Sequence, residues 1–216
     1  MKKTLDMMLE NGIIAIARGV YGDKLLNAVG ALADGGIRAV EVTFDQRLNG
    51  EETFQAIMQL NKAFHGEVAV GAGTVLTHEQ LKLAYGAGAA YVISPNTDES
   101  IIRETKRLGM ISIPGAMTPT EIVSAASYGA DIVKVFPAGS LGVDYFAAIT
   151  TPLSHIRCAA VGGVTIDNLS AFKRAGACAF GISSSLFNKK LIENEAYDEI
   201  SKIASAYVCA SRNEWI

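Results

Sequence analysis

Apolar positions along the chain fall into two alternating patterns. Short runs at 13–17, 39–44, 68–70, 91–93, 111–113, 132–136, 158–161 and 179–182 are rich in Val, Ile and Ala and have almost no polar face. A run of that kind predicts a strand covered on both sides, as in a parallel sheet. Between them lie longer segments with helical spacing, among them 24–34, 52–65 and 122–128. Thr118, Pro119 and Glu121 predict a capping box with proline at the first helical position. Thr77 with Gln80 repeats the box, and Asp167 is the predicted cap of a helix carrying Leu169 and Phe172. Glycines at Gly35, Gly86, Gly109, Gly129 and Gly176 mark helix ends. About eight strand–helix units in 216 residues predict one α/β domain over 1–216, a (β/α)8 TIM barrel. An open doubly wound sheet is the competing architecture, but no GxGxxG follows the first strand.

Composition narrows the class of function. Half the residues are apolar, 19% are charged and the net charge is -3, so there is no basic footprint for nucleic acid. No apolar stretch is long enough for a membrane span. The first twelve residues mix Lys2, Lys3, Asp6 and Glu10 into the apolar positions and lack a signal-peptide core. Cys158, Cys178 and Cys209 are odd in number and show no CxxC spacing, which predicts reduced thiols and a cytoplasmic location. His65, His78 and His155 share no face that could hold a metal, so neither metal nor cofactor is expected. Tyr197, Tyr207 and Trp215 read as a terminal helix covering the barrel.

In such a barrel the functional side chains project from the carboxyl ends of the strands. The polar interruptions gather there: Arg18, Glu41 and Thr43, Gly71 to Thr74, Ser94 to Asn96, Lys134, Gly162 and Gly163, and Ser183 to Ser185. Lys134 interrupts the run from Ile132 to Phe136. Alternation places Ile132, Lys134 and Phe136 on one face and Val133 and Val135 on the other. With the valines under the helices, Lys134 points into the barrel mouth, where low dielectric favours a neutral amine able to attack a ketone. A lysine snorkelling at a rim is the plainer reading. The same parity turns Glu41 inward, where a carboxylate beside an amine can shuttle protons, or form only a structural ion pair.

Gly162-Gly163 and Ser184 follow neighbouring strands, the position where barrels build phosphate sites from backbone N–H groups. Arg18 adds a positive fork there, unless it is simply solvated. Thr74 and Pro95 sit in turns that could line a pocket for a small carboxylate.

The segments VEVTF (40–44), GAGTVLT (71–77), ISPN (93–96), IPGAMTPTE (113–121), VKVFPA (133–138) and VGGVT (161–165) together resemble the 2-keto-3-deoxy-6-phosphogluconate and 4-hydroxy-2-oxoglutarate aldolase family, over essentially the whole chain. The resemblance implies a class I aldolase, usually a homotrimer, that cleaves a small keto acid phosphate to pyruvate and an aldehyde. It implies Lys134 as the Schiff-base lysine, Glu41 as general acid/base, and Thr74 and Pro95 at the pyruvate end. Phe136 matches the aromatic above the imine, and Gly162, Gly163 and Ser184 the phosphate cradle. Two departures stand out. Asp45 replaces an arginine common in the family, with Arg47 nearby. Val161 replaces the threonine of gluconate-type members, which, with Arg18, resembles the 6-phosphogalactonate branch. Cleavage of 4-hydroxy-2-oxoglutarate is the alternative activity; a phosphosugar isomerase on the same barrel is a more distant one.

Overall fold

The computed structural model describes residues 1–212. Its strands are β1 (Ile13–Ala17), β2 (Ala39–Thr43), β3 (Ala69–Gly73), β4 (Tyr91–Ile93), β5 (Ile111–Ile113), β6 (Gly115–Ala116), β7 (Val133–Val135), β8 (Cys158–Val161) and β9 (Ala177–Ile182). They pair in parallel in the order β5-β4-β3-β2-β1-β9-β8-β7-β6. The expected eighth-fold count is recovered at the two ends of that order. β5 and β6 are consecutive halves of one strand interrupted at Pro114, which has no N–H to give to a ladder. The first half bonds β4; the Pro114 carbonyl then accepts from Lys134 N–H at 2.9 Å and Ala116 O from Phe136 N–H at 3.1 Å. The split strand thereby closes the barrel, and the fold is the (β/α)8 TIM type.

The helices are α1 (Lys2–Asn11), α2 (Gly22–Asp34), α3 (Glu51–Phe64), α4 (His78–Gly86), α5 (Glu99–Arg107), α6 (Pro119–Tyr128), α7 (Ala138–Leu141), α8 (Val143–Thr150), α9 (Ile166–Arg174), α10 (Lys189–Glu193) and α11 (Tyr197–Arg212). None is long and apolar enough to cross a membrane among the described residues. The Thr118 capping box is present: Glu121 Oε2 accepts from Thr118 N–H at 2.8 Å, and Thr118 Oγ1 from Glu121 N–H at 3.3 Å. At α9 the sequence expectation is corrected. The N-cap is Thr165 rather than Asp167, because Asn168 Oδ1 takes the Thr165 N–H at 2.8 Å and starts the helix two residues earlier. Tyr197 and Tyr207 lie on α11, as expected of a terminal helix; Trp215 lies outside the described residues.

Alternation within the strands separates two apolar layers. Val40, Val42, Val133, Val135 and Ala160 pack outward under the helices. Ile14, Ile16, Ala39, Ala69, Ile93, Ile111, Ile113, Ile132 and Ala159 fill the barrel. Helix α1, not foreseen from the sequence, drives Met8 into that inner layer at the strand starts. The amino end of the barrel is therefore plugged with hydrocarbon, and only its carboxyl end is left open for polar chemistry.

Candidate active site

At the open end a cavity of about 300 Å³ is bounded by Arg18, Glu41, Thr74, Pro95, Lys134, Phe136, Gly162, Gly163 and Ser184. All nine of these residues, each singled out in the sequence, converge on it from seven strand ends. Wider grooves on the flank, such as that between α2 and α3 along Asn49, Glu51 and Gln55, hold no buried titratable group.

Lys134 is held by β7, in register with Gly115 on one side and Ala159 on the other. Its residue is 7% exposed, with Val133 and Val135 fully buried on the opposite face. Its Nζ lies 4.8 Å from the centroid of the ring of Phe136, a partly exposed residue. Burial pushes the amine below the usual lysine value; the Glu41 charge opposes that shift and the Arg18 charge adds to it.

Glu41 stands on β2, 2% exposed. Its space comes from the neighbouring strand: a Cβ built on Gly73 would lie 1.7 Å from Glu41 Oε1 and 2.4 Å from Cδ. Burial raises its carboxyl above the ordinary value, against the opposing charges of Lys134 and Arg18. Among the described residues no salt bridge within 4.0 Å joins Glu41 and Lys134, and Glu41 Oε2 has no hydrogen-bond partner. Two buried groups of opposite type, each shifted toward neutrality and not locked together, can exchange a proton with a third species between them.

The rim differs in character. Thr74 has φ 58°, an unusual conformation for a β-branched residue. It is held by a side-chain relay in which Gln46 Nε2 donates to Thr74 O at 2.9 Å and Gln80 Nε2 donates to Gln46 Oε1 at 2.9 Å. Gln80 Oε1 in turn accepts from Leu76 N–H rather than completing a box with Thr77. On the opposite side Gly162 and Gly163 have φ 85° and 76°, so their backbone can turn N–H groups toward the cavity where a side chain could not follow. A Cβ on Gly162 would meet the Phe136 ring at 2.9 Å. Ser184 is exposed at the mouth, as is Arg18, giving this flank hydroxyl and guanidinium donors.

Other sequence candidates are spent on structure. Thr43 Oγ1 donates to Ala17 O at 3.2 Å, and Ser94 Oγ to Asn96 O at 2.7 Å. Arg47 does not border the cavity; it doubles back on Asp45 with bonds of 2.9 and 2.6 Å, and holds that carboxyl down at about 2. Sequence reading missed Ile16, Val164, Thr165 and Gly181, which complete the cavity wall. Ile16 has the inward parity of its strand, which was a usable signal; Gly181 shows only once Val161 is seen over it, 2.8 Å from where its Cβ would be.

The profile of the KDPG and KHG aldolase family matches residues 5–203. The 2-dehydro-3-deoxy-6-phosphogalactonate aldolase of Escherichia coli (strain K12) is 35% identical over 201 residues, covering 93% of this chain and 94% of its own. The KHG/KDPG aldolase of the same organism is 34% identical over 175 residues, or 81% of this chain and 80% of its own. A solved structure titled "Native KDPGal structure" superposes with a TM-score of 0.84 at 35% identity, over 93% of this chain and 94% of that one.

Proposed function

Because the chain belongs to the KDPG and KHG aldolase family, we propose that it is a class I aldolase cleaving a 2-keto-3-deoxy-6-phospho-aldonate to pyruvate and glyceraldehyde 3-phosphate. The observation that carries this reading is Lys134: a buried, unpaired lysine on an inner strand face, pushed toward the neutral amine, at the mouth of the barrel.

The neutral Lys134 Nζ attacks the C2 ketone of the substrate, and its pair with Glu41 supplies and removes the protons as water leaves. The protonated imine then draws the electrons of the C3–C4 bond into an enamine, while Glu41 accepts the proton of the C4 hydroxyl and the aldehyde departs. Protonation of the enamine at C3 and hydrolysis of the imine return Lys134 and release pyruvate. The Phe136 ring beside Nζ shields the imine. Thr74 and Pro95 face the keto-acid end, and Gly162, Gly163, Ser184 and Arg18 are suited to a terminal phosphate. Val161 in place of a threonine, and the galactonate-type relative, favour the galactonate epimer. Metal and cofactor have no part in this cycle.

We also read the protein as one cytoplasmic barrel domain with a small-molecule substrate. Three unpaired cysteines fit a reducing compartment. The exposed apolar side chains of Leu48, Met58, Leu76 and Tyr85 support self-association, which we read as the homotrimer that the resemblance implies and which sedimentation would test.

Purified protein, supplied in turn with both phospho-aldonate epimers and with 4-hydroxy-2-oxoglutarate, should release pyruvate fastest from the galactonate compound. Lys134→Arg should reduce every rate to background. Equal turnover in that variant, or isomerisation without pyruvate, would overturn the reading.

A further inference from the structure

The barrel interior contains a third ionisable side chain that the cycle above does not use. Register places Ile16, Glu41, Gly71, Tyr91 and Ile111 in one row across β1 to β5. Gly71 has no side chain, and the Tyr91 ring lies over it: a Cβ there would be 2.2 Å from the ring. One residue pair further along β3, the Glu41 carboxylate lies over Gly73 in the same manner. Tyr91 on β4 and Glu41 on β2 thus reach in from opposite sides of β3 over its two bare inward positions, Gly71 and Gly73.

Tyr91 is 0% exposed, and its hydroxyl has no hydrogen-bond partner. Glu41 Oε2 is also buried without one. Buried polar atoms are rarely left without a partner, in protein or in ordered water. The surrounding inner layer is hydrocarbon, and among its described side chains only Glu41 offers a carboxyl oxygen to the phenol. The Glu41 charge also acts on Tyr91, adding to the effect of burial in raising its hydroxyl well above the usual tyrosine value.

We propose that Tyr91 is a positioning residue for the reaction: its hydroxyl donates to the Glu41 carboxylate through one enclosed water, and so fixes the carboxylate against Lys134. This rests on the reading of Glu41 as the acid/base. The titratable groups facing Glu41 are Lys134 from β7, Arg18 from the end of β1 and Tyr91 from β4. The first two act as charges from the open side. Tyr91 alone donates from below, and a donor to the charged form favours ionisation.

Tyr91→Phe removes one oxygen and keeps the ring. Without its donor the carboxylate ionises less readily, so the acid limb of kcat/KM against pH moves upward by about one pH unit. Activity falls roughly tenfold below the limb and little on the plateau, with KM nearly unchanged. Site-specific 3-fluorotyrosine at position 91, a stronger donor of the same shape, moves the limb the other way and serves if the phenylalanine variant does not fold. Glu41→Gln is profiled in parallel. If it retains the wild-type limb, the Glu41 reading fails and this inference with it. If it loses the limb while neither Tyr91 variant moves it, the positioning role alone is wrong. A Tyr91→Phe protein that melts higher with an unmoved limb is likewise against it, since the hydroxyl is then an unmet buried group.

Discussion

The Glu41 carboxylate occupies the space that a side chain at Gly73 would need, with Oε1 1.7 Å from the position of the missing Cβ. The glycine sits on β3 in ordinary extended backbone, so its role is volume rather than conformation. Gly73→Ala should force the carboxylate off its line to Lys134. We expect a loss of about 1–3 kcal/mol in stability from overpacking and a fall in kcat larger than the change in KM. An active Gly73→Ala protein with unchanged melting would show that the carboxylate is mobile.

The protonation of the pair dictates the pH dependence. The form able to react carries one proton shared between Glu41 and Lys134. Burial raises the Glu41 carboxyl above 4.5 and lowers the Lys134 ammonium below 10.5. Both limbs of the kcat/KM profile should therefore lie inside those limits, giving a bell narrower than two independent groups would. Initial rates across pH check this. An alkaline limb at or above 10.5 would contradict the desolvation of Lys134.

The same shifts set a stability cost. A carboxyl raised in the fold contributes its full stability below 4.5 and loses it as pH rises through its folded value. A depressed lysine contributes its full stability above 10.5 and loses it as pH falls through its folded value. Near neutrality both groups strain the fold. Glu41→Gln combined with Lys134→Met should be inactive yet more stable by about 1–4 kcal/mol, read as a higher Tm at pH 7. A lower Tm would mean that the pair is structural.

Most of the architecture and of the cavity was legible in the sequence, because strand parity carries the information. Val40 and Val42 around Glu41, and Val133 and Val135 around Lys134, declare which face is outward before any coordinates exist. Turn glycines declare the strand ends. What could not be read depends on contacts across the chain. The split at Pro114 emerges only when both halves find different partners. The plug made by Met8 needs the packing of α1, and the place of Tyr91 beneath Glu41 needs the register of three strands. Arg47 could not be placed from the sequence, because its bonds to Asp45 depend on a local loop turn.

Val161 borders the cavity and packs over Gly181, so Val161→Thr changes a methyl for a hydroxyl at nearly constant volume. A hydroxyl there can bond one orientation of the C4 hydroxyl of a substrate and not the other. We expect the ratio of kcat/KM for the gluconate over the galactonate epimer to rise roughly tenfold. An unchanged ratio would move epimer choice to another wall of the cavity.

The most direct test traps the bond itself. The protein is incubated with pyruvate, reduced with borohydride, digested and weighed. One reduced pyruvate should be found, on the peptide containing Lys134, and the adduct should vanish in Lys134→Arg. No adduct in the active wild-type enzyme, or an adduct on another lysine, would contradict the assignment of Lys134 as the Schiff-base amine.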